Sequence, residues 1–477
     1  MTYTEAHQLL DRRGQAHLLG FWPKLNADQQ AGLLAQIAAL DWDAVDALLA
    51  RLHAQPSSTD SPGAAARNDS AAGAGLPPAP VVTLLPHQRG EPRRVGEEAL
   101  RAGEVGVILV AGGQGTRLGF DAPKGTFPLA PISGASLFEI HARKILALER
   151  RHGGRIPFYI MTSEGNDADT RRFFEARKYF GLAPDRVRFF VQGVYPAFGL
   201  DGRAVLESPA RISTAPDGHG GVLAALQRSG LLADMEQRRL ATLFYFQVDN
   251  PLVEIADPVF VGLHRQRGAD MSLKVCARRD PHEGLGVVVA RDGRCAVVEY
   301  TELTEAQKHA TAAGGELLYK FGSVAIHAFA LRFLQREAGA GLPLHQAHKK
   351  VPYCDAEGRT IKPDQPNACK FEKFIFDALP DAARPLILEF AREEEFAPVK
   401  NAEGQDTPDS ARTAMMEKAA RWLEACGVQV PRAADARLKY RLEIDPAYAN
   451  SYEELRGRLP GDFQLRRETL LSDQRPG

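Results

Sequence analysis

From about residue 105 the chain alternates apolar β-rich runs with amphipathic helical stretches, and this alternation restricts the fold more than any other feature. "VGVILVA" (105–111) is apolar throughout and reads as a strand buried on both faces. "SLFEIHARKILALERR" (136–151) has helical periodicity, "IPFYIMTS" (156–163) reads as a strand, and "DADTRRFFEARKYF" (167–180) as a helix. "RVRFFVQG" (186–193) and "LATLFYFQVDN" (240–250) supply two more strands. Strands separated by helices cannot pair as hairpins, so the pattern predicts a mostly parallel sheet wrapped by helices. "LGVVVARDGRCAVVEY" (285–300) differs: two β-rich runs flank Asp292-Gly293, which predicts a hairpin.

The flanks set the expected domain boundaries. Residues 3–53 read as helices, with Leu9, Leu10, Gly14, His17, Leu18 and Phe21 near one face and Asn26 as an N-cap. "PSSTDSPGAAARNDSAAGAGLPPAP" (56–80) is too poor in apolar residues to order itself and reads as a mobile connection. Beyond about residue 385 the pattern weakens, and "RLKYRLEIDPAYA" offers only short strands. The expected division is an N-terminal helical region at 1–95 including that connection, a principal α/β domain at 96–385, and a small C-terminal domain at 386–477.

Lys+Arg total 59 against 60 Asp+Glu, which argues against a basic nucleic-acid binder. No apolar run approaches the ~18–20 residues of a membrane span. "MTYTEAHQLLDRRGQ" lacks the apolar segment of a signal peptide, so a cytoplasmic location is expected. None of the five cysteines forms a CxxC pair, and they read as small apolar fillers.

The chemistry concentrates at strand ends, where open α/β sheets bind ligands. "LVAGGQGTRLGFDAPKG" (109–125) follows the first buried strand with five glycines, Arg117 and Lys124. Glycines let backbone N–H groups approach an anion, and the two cations add charge, so the loop suits a polyphosphate. It is not a dinucleotide fingerprint, because Leu118 stands where the third glycine belongs. It is not a Walker A loop either, because Pro123 precedes Lys124 and Gly125 follows it. A second glycine cluster, "STAPDGHGGVLAAL" (213–226), opens onto a helix. "FQVDN" (246–250) ends a strand in Asp249, a carboxylate suited to Mg²⁺ alongside substrate phosphates; an Asx turn or a helix cap would use the same residue.

These stretches carry a resemblance. The first loop is similar to that of the eukaryotic-type UDP-sugar pyrophosphorylases, and within them to the acetylglucosamine group. The resemblance extends in order through "RGQAHLLGFW", "KYFGL", "FFVQGVYPA", "APDGHGG", "VDNPLVEIADP", "VVEYTEL", "IKPDQPNACKFEKFIFD" and "EEFAPVKNA". It implies a Rossmann-like (GT-A-like) nucleotidyltransferase α/β fold, a mixed sheet with helices on both faces and smaller terminal domains. It also implies UTP and a sugar 1-phosphate as substrates, with Mg²⁺ as cofactor and neither nucleic acid nor membrane as partner.

By the same resemblance, Val110, Ala111, Gly112 and Gly113 meet the nucleotide, Arg117 and Lys124 the triphosphate, and Gln192 and Gly218 the uracil. Asp249 sits by the metal and phosphates. Lys370 and Lys400 bring charge to the phosphates, though composition alone reads both as solvated surface. His219, Glu299, Tyr300, Ser323 and Lys400 border the sugar phosphate. Arg117, Lys124 and Lys400 carry catalysis by charge neutralisation rather than as base or nucleophile. Two departures bear on the sugar. His219 replaces the asparagine of "DGNGG", as in UDP-glucose and broad-specificity enzymes, and "YKFGS" puts Lys320 and Ser323 at the asparagines of "FNAGN". Acetylhexosamine 1-phosphate is the expected acceptor. Glucose or galactose 1-phosphate, a broad UDP-sugar enzyme, and an inactive nucleotide-sugar-binding relative are the alternatives.

Overall fold

A computed structural model describes residues 1–54 and 75–473. Its contacts divide the chain into two compact units: Met1–Gly75 with Gln192–Gly221 and Leu342–Asp377, and Leu76–Val191 with Val222–Gly341 and Ala378–Gly477.

In the smaller unit, helices Tyr3–Asp11, Ala27–Ala39 and Trp42–Ala54 supply Leu10, Leu33, Ile37, Val45 and Leu48 to one core. The same core takes Phe198, Leu206, Ile212 and Phe371. The N-terminal helices are therefore not a free-standing 1–95 region, because their apolar faces are closed by chain from far along the sequence. Asn26 caps the second helix, its side chain accepting from Gln29 N–H at 2.9 Å. The face drawn from Leu9 to Phe21 is not one helix. The first helix ends at Asp11, Gly14 takes φ +67°, and short turns follow at Ala16–Leu19 and Trp22–Lys24. Strands His345–Lys349 and Phe198–Gly199 flank Ala368–Glu372 in a small sheet.

The larger unit holds a nine-stranded mixed sheet. Its strands, numbered along the chain, are β1 (Val105–Val110), β2 (Phe158–Thr162), β3 (Val187–Val191), β4 (Thr242–Gln247) and β5 (Met271–Ala277). The rest are β6 (Val287–Arg291), β7 (Arg294–Val298), β8 (Phe321–Ala330) and β9 (Pro385–Glu389). The order is β7-β6-β8-β4-β1-β2-β3, with β5 joining β8 and β9 joining β5. β1 pairs in parallel with β2 (Val107 opposite Phe158) and β4 (Val105 opposite Thr242), so the sheet runs parallel where the alternation predicts it. The hairpin forms as read: β6 and β7 are antiparallel, and Asp292 and Gly293 both take positive φ (51° and 74°), as a tight primed turn requires.

Three expectations need correction. The helix from Asp167 ends at Ala176, because Lys178, Tyr179 and Phe180 all take positive φ. The expected boundary at 385/386 cuts through β9, an integral strand, although residues including Ala420, Leu423, Leu442 and Leu455 do form their own apolar cluster. Of the expected mobile connection, 56–74 lies outside the described residues and 76–80 is anchored. Pro77 C=O accepts from Ala290 N–H at 2.7 Å, and Leu76 C=O accepts from the Tyr319 hydroxyl at 2.9 Å.

Helices Gly90–Arg101 and Pro258–Gln266 cross at two glycines. A Cβ on Gly96 would lie 1.9 Å from Pro258 O, and one on Gly262 would lie 1.7 Å from Pro92 O. Alanine at a helical glycine gains about 1 kcal/mol of intrinsic propensity. Here the clash is with backbone and must push the helices apart, at about 1–3 kcal/mol or more. Gly262→Ala is expected to lower unfolding free energy by about 2 kcal/mol. Urea denaturation measures it, and a stabilised variant would show that the crossing yields freely.

Candidate active site

The glycine loop after β1 is fixed from behind. Asn166, itself buried, donates through Nδ2 to Ala111 O at 3.0 Å and Gly113 O at 3.3 Å. Gly113 O also accepts from Lys124 N–H at 3.1 Å, closing the loop on itself. Gly125 is needed sterically, since a Cβ there would stand 2.2 Å from the Phe138 ring. Val110 O and Ala111 N–H are spent on the flanking chain, pairing with Val248 N–H and Met161 O. Several loop amides, those of Gly112 and Gly113 among them, have no hydrogen-bond acceptor among the described residues and are free to meet an anion.

Four of the expected residues converge here from three distant stretches of the larger unit. Lys124 Nζ lies 3.4 Å from Asp249 Oδ2, with both side chains largely buried. Asp249 O accepts from Val399 N–H at 2.8 Å, so Lys400 follows directly on that bond. Arg117 O accepts from Ala402 N–H at 3.0 Å, which ties the tip of the glycine loop to the 400–406 turn. Arg117 is exposed and Lys400 half-buried. Asp249 thus pairs with Lys124, and backbone hydrogen bonds bring the stretches that carry Arg117 and Lys400 to the same strand end.

Asn250 does not line this cluster with Asp249. Its side chain donates to Glu395 O at 2.6 Å and accepts from Ala397 N–H at 3.1 Å. Glu395 in turn takes the Lys274 ammonium at 2.5 Å, and Asp257 takes the same ammonium at 2.8 Å. Lys274 is 1% exposed. Burial alone would pull its ammonium down, but Asp257 and Glu395 outweigh that and hold it above its ordinary range. Burial pushes Glu395 up to about 7 against the pull of Lys274. The sequence hid this group, because a lysine inside "MSLKVCA" reads as an outward position on a strand.

The expected sugar-side residues of this unit also gather. Ser323 N–H donates to Gly286 O at 2.8 Å. A Cβ on Gly286 would come 3.4 Å from Glu299 Oε1, and one on Gly284 3.5 Å from the Tyr300 ring. Lys320 turns outward to Glu316, 3.0 Å from Nζ to Oε2.

The remaining expected residues belong to the smaller unit. Asp217 N–H donates to Gly193 O at 3.0 Å, which sets Gly218 beside Gln192. Gln192 is buried, and its amide has no protein hydrogen bond among the described residues. Gly218 takes φ +81° and a Cβ there would strike Lys373 O at 2.5 Å, so no other residue fits. Lys370 lies on strand Ala368–Glu372, opposite Ala347. His219 stacks on Phe374 at 5.4 Å, and its Nδ1 accepts from Ile375 N–H at 3.2 Å. That acceptor role assigns the proton to Nε2. Burial, then His345, holds its pKa down to about 4, so the ring stays neutral.

A nucleotidyltransferase-type α/β sheet with cations and a carboxylate at its strand ends defines a nucleotide-processing enzyme. A family model described as UTP–glucose-1-phosphate uridylyltransferase matches residues 89–435, and the chain belongs to that family. It is similar to human UDP-N-acetylhexosamine pyrophosphorylase-like protein 1, 39% identical over 92% of this chain and 88% of that one. It is 34% identical to the UDP-N-acetylglucosamine pyrophosphorylase of Saccharomyces cerevisiae, over 90% of this chain and 92% of that one. The solved uridine diphosphate N-acetylglucosamine pyrophosphorylase of Trypanosoma brucei superposes with a TM-score of 0.79 at 28% identity, covering 95% of this chain and 94% of that one. By membership the chain is a uridylyltransferase. No helix among the described residues is long and apolar enough to cross a membrane.

Lys274→Met would leave two buried carboxylates without their counter-ion, at about 3–5 kcal/mol. The expected loss of unfolding free energy is of that order, read by guanidinium denaturation. A loss below about 1 kcal/mol would show that the carboxylates do not depend on the ammonium.

Proposed function

We propose that the protein couples UTP to N-acetylglucosamine 1-phosphate, releasing pyrophosphate and forming UDP-N-acetylglucosamine in the cytoplasm. The observation that carries the reading is the convergence of Arg117, Lys124, Asp249 and Lys400 through one side-chain pair and two backbone hydrogen bonds. The names borne by the yeast and trypanosome relatives supply the sugar.

A phosphate oxygen of the sugar 1-phosphate attacks the α-phosphorus of UTP. A new P–O bond forms, the bond from the α-phosphorus to the bridging oxygen breaks, and pyrophosphate departs with its electrons. The attacking phosphate is already ionised near neutral pH, so no side chain has to remove a proton. The chain's task is to orient two anions that repel and to neutralise the departing charge. Arg117, Lys124 and Lys400 do this in the larger unit, with the Gly112 and Gly113 amides. Within the smaller unit, the Gln192 amide and the Gly218 backbone offer donors and acceptors of the kind that complement uracil, and Lys370 offers a cation.

Magnesium fits this donor set. Among the described residues Asp249 belongs to neither of the two three-residue groups whose ligand atoms lie together, so it would offer a dication one hard carboxylate oxygen, with substrate phosphates and water supplying the rest. When bound at Asp249, Mg²⁺ would screen phosphate charge. Lys124→Ala is expected to lower kcat by about a hundredfold or more, as for loss of one charge-stabilising donor. Asp249→Asn should do the same with magnesium in excess. Steady-state pyrophosphate release measures both, and near wild-type turnover in either would defeat the assignment.

The acceptor pocket favours a second, broader use. Ser323 is shorter than the asparagine it replaces and Lys320 is turned to Glu316, so neither presents the paired donor and acceptor of an amide to an acetamido group. A pocket without that readout discriminates weakly. Glucose 1-phosphate is expected within about a hundredfold of N-acetylglucosamine 1-phosphate in kcat/KM, and Ser323→Asn should widen the gap. Competition between the two sugars for limiting UTP decides it. Discrimination above about ten-thousandfold, unchanged in the variant, would exclude the role of Ser323.

A further inference from the structure

Outside the site, the turn at 280–283 and helix Glu305–His309 bring His282, Glu305 and His309 together, with one ligand atom of each within 4.8 Å of the others. The two imidazoles meet edge to face at 5.0 Å. All three side chains are exposed, but the backbones beneath them are held. His282 N–H donates to Asp280 Oδ1 at 2.8 Å, and Arg278, a buried residue, donates to Pro281 O at 3.0 Å. The helix begins at a Thr304–Gln307 capping box, and just past its end Leu318 N–H donates to Ala310 O at 2.7 Å. Glu305 is also oriented: Lys308 holds Oε1 at 2.7 Å, and Oε2 lies 4.0 Å from His309 Nε2.

We propose that His282, Glu305 and His309 form a zinc-binding site. Two imidazoles and a carboxylate are a common donor set for Zn²⁺, with water in the fourth position. Mg²⁺ prefers oxygen donors alone, and imidazole selects against it. In a tetrahedral zinc site the donor atoms stand about 3.3 Å apart, from bonds of about 2.0–2.1 Å. Reaching that spacing needs only rotation of exposed side chains. Lys308 on the second carboxylate oxygen is the kind of outer partner that orients a metal ligand. The ion would tie the 280–283 turn to the Glu305–His309 helix. Tyr300 lies between these segments in the chain, and a Cβ on Gly284 would come 3.5 Å from its ring.

The test is equilibrium dialysis of the full chain against Zn²⁺ without nucleotide, for wild type, His282→Ala and His309→Ala. Because the residues are exposed, both variants should melt as the wild type does. Wild type should bind one equivalent more than either variant, and both variants should lose the same equivalent. Their affinity should fall by more than about a hundredfold, since even a lost outer partner costs 10–100-fold. Co²⁺ should give a visible spectrum in wild type that both variants lack. Equal stoichiometry and affinity in all three proteins would overturn the proposal, as would a cobalt spectrum unchanged by either substitution.

Discussion

One buried ammonium organises the deepest part of the larger unit. Lys274, on β5, is shared by Asp257 and Glu395, and each carboxylate serves a second purpose. Asp257 caps the helix from Pro258, its Oδ1 accepting from Val259 N–H at 2.9 Å. The Glu395 backbone takes the Asn250 side chain, next to Asp249. Three separate segments are thus fastened at one point, and two of them lead directly to Asp249 and Lys400. A charge so far from water is tolerable only when fully paired, which makes the arrangement all-or-none. This pairing positions the stretches beside Asp249 and Lys400, while Asn166 fixes the glycine loop.

The two units hold their candidate residues in different ways. Phosphate needs positive charge and free amides, which strand ends and glycine loops provide. In the smaller unit, Gln192 and Gly218 are held beside each other by the hydrogen bond from Asp217 N–H to Gly193 O. The same rigidity explains His219. With one ring nitrogen bound to Ile375 and the ring stacked on Phe374, it can offer a single donor and cannot take up a proton near neutral pH.

The parallel part of the sheet was legible because its strands are uniformly apolar and helices separate them. The glycine loop, Lys124 and Asp249 were legible because unusual residues fall at strand ends. What stayed hidden depends on partners distant in sequence. Asn166 steadies the loop across more than fifty residues, and Glu395 meets Lys274 across 121. Local composition cannot show that "LPPAP" is anchored on β6, since the acceptors and donors lie more than two hundred residues away. The run Lys178 to Phe180 ended a helix against its own periodicity, because three successive positive-φ residues leave no helical pattern to read.

The hydrogen bond from Ala402 to Arg117 has a meaning for how the protein is made. Lys400 leaves the ribosome roughly 280 residues after Arg117, about 15–55 s later at 5–20 residues per second. Until then the glycine loop lacks the turn that braces it. A nascent or truncated chain therefore carries the loop without that brace. The finished hydrogen bond is a record that translation has passed the 400–406 turn.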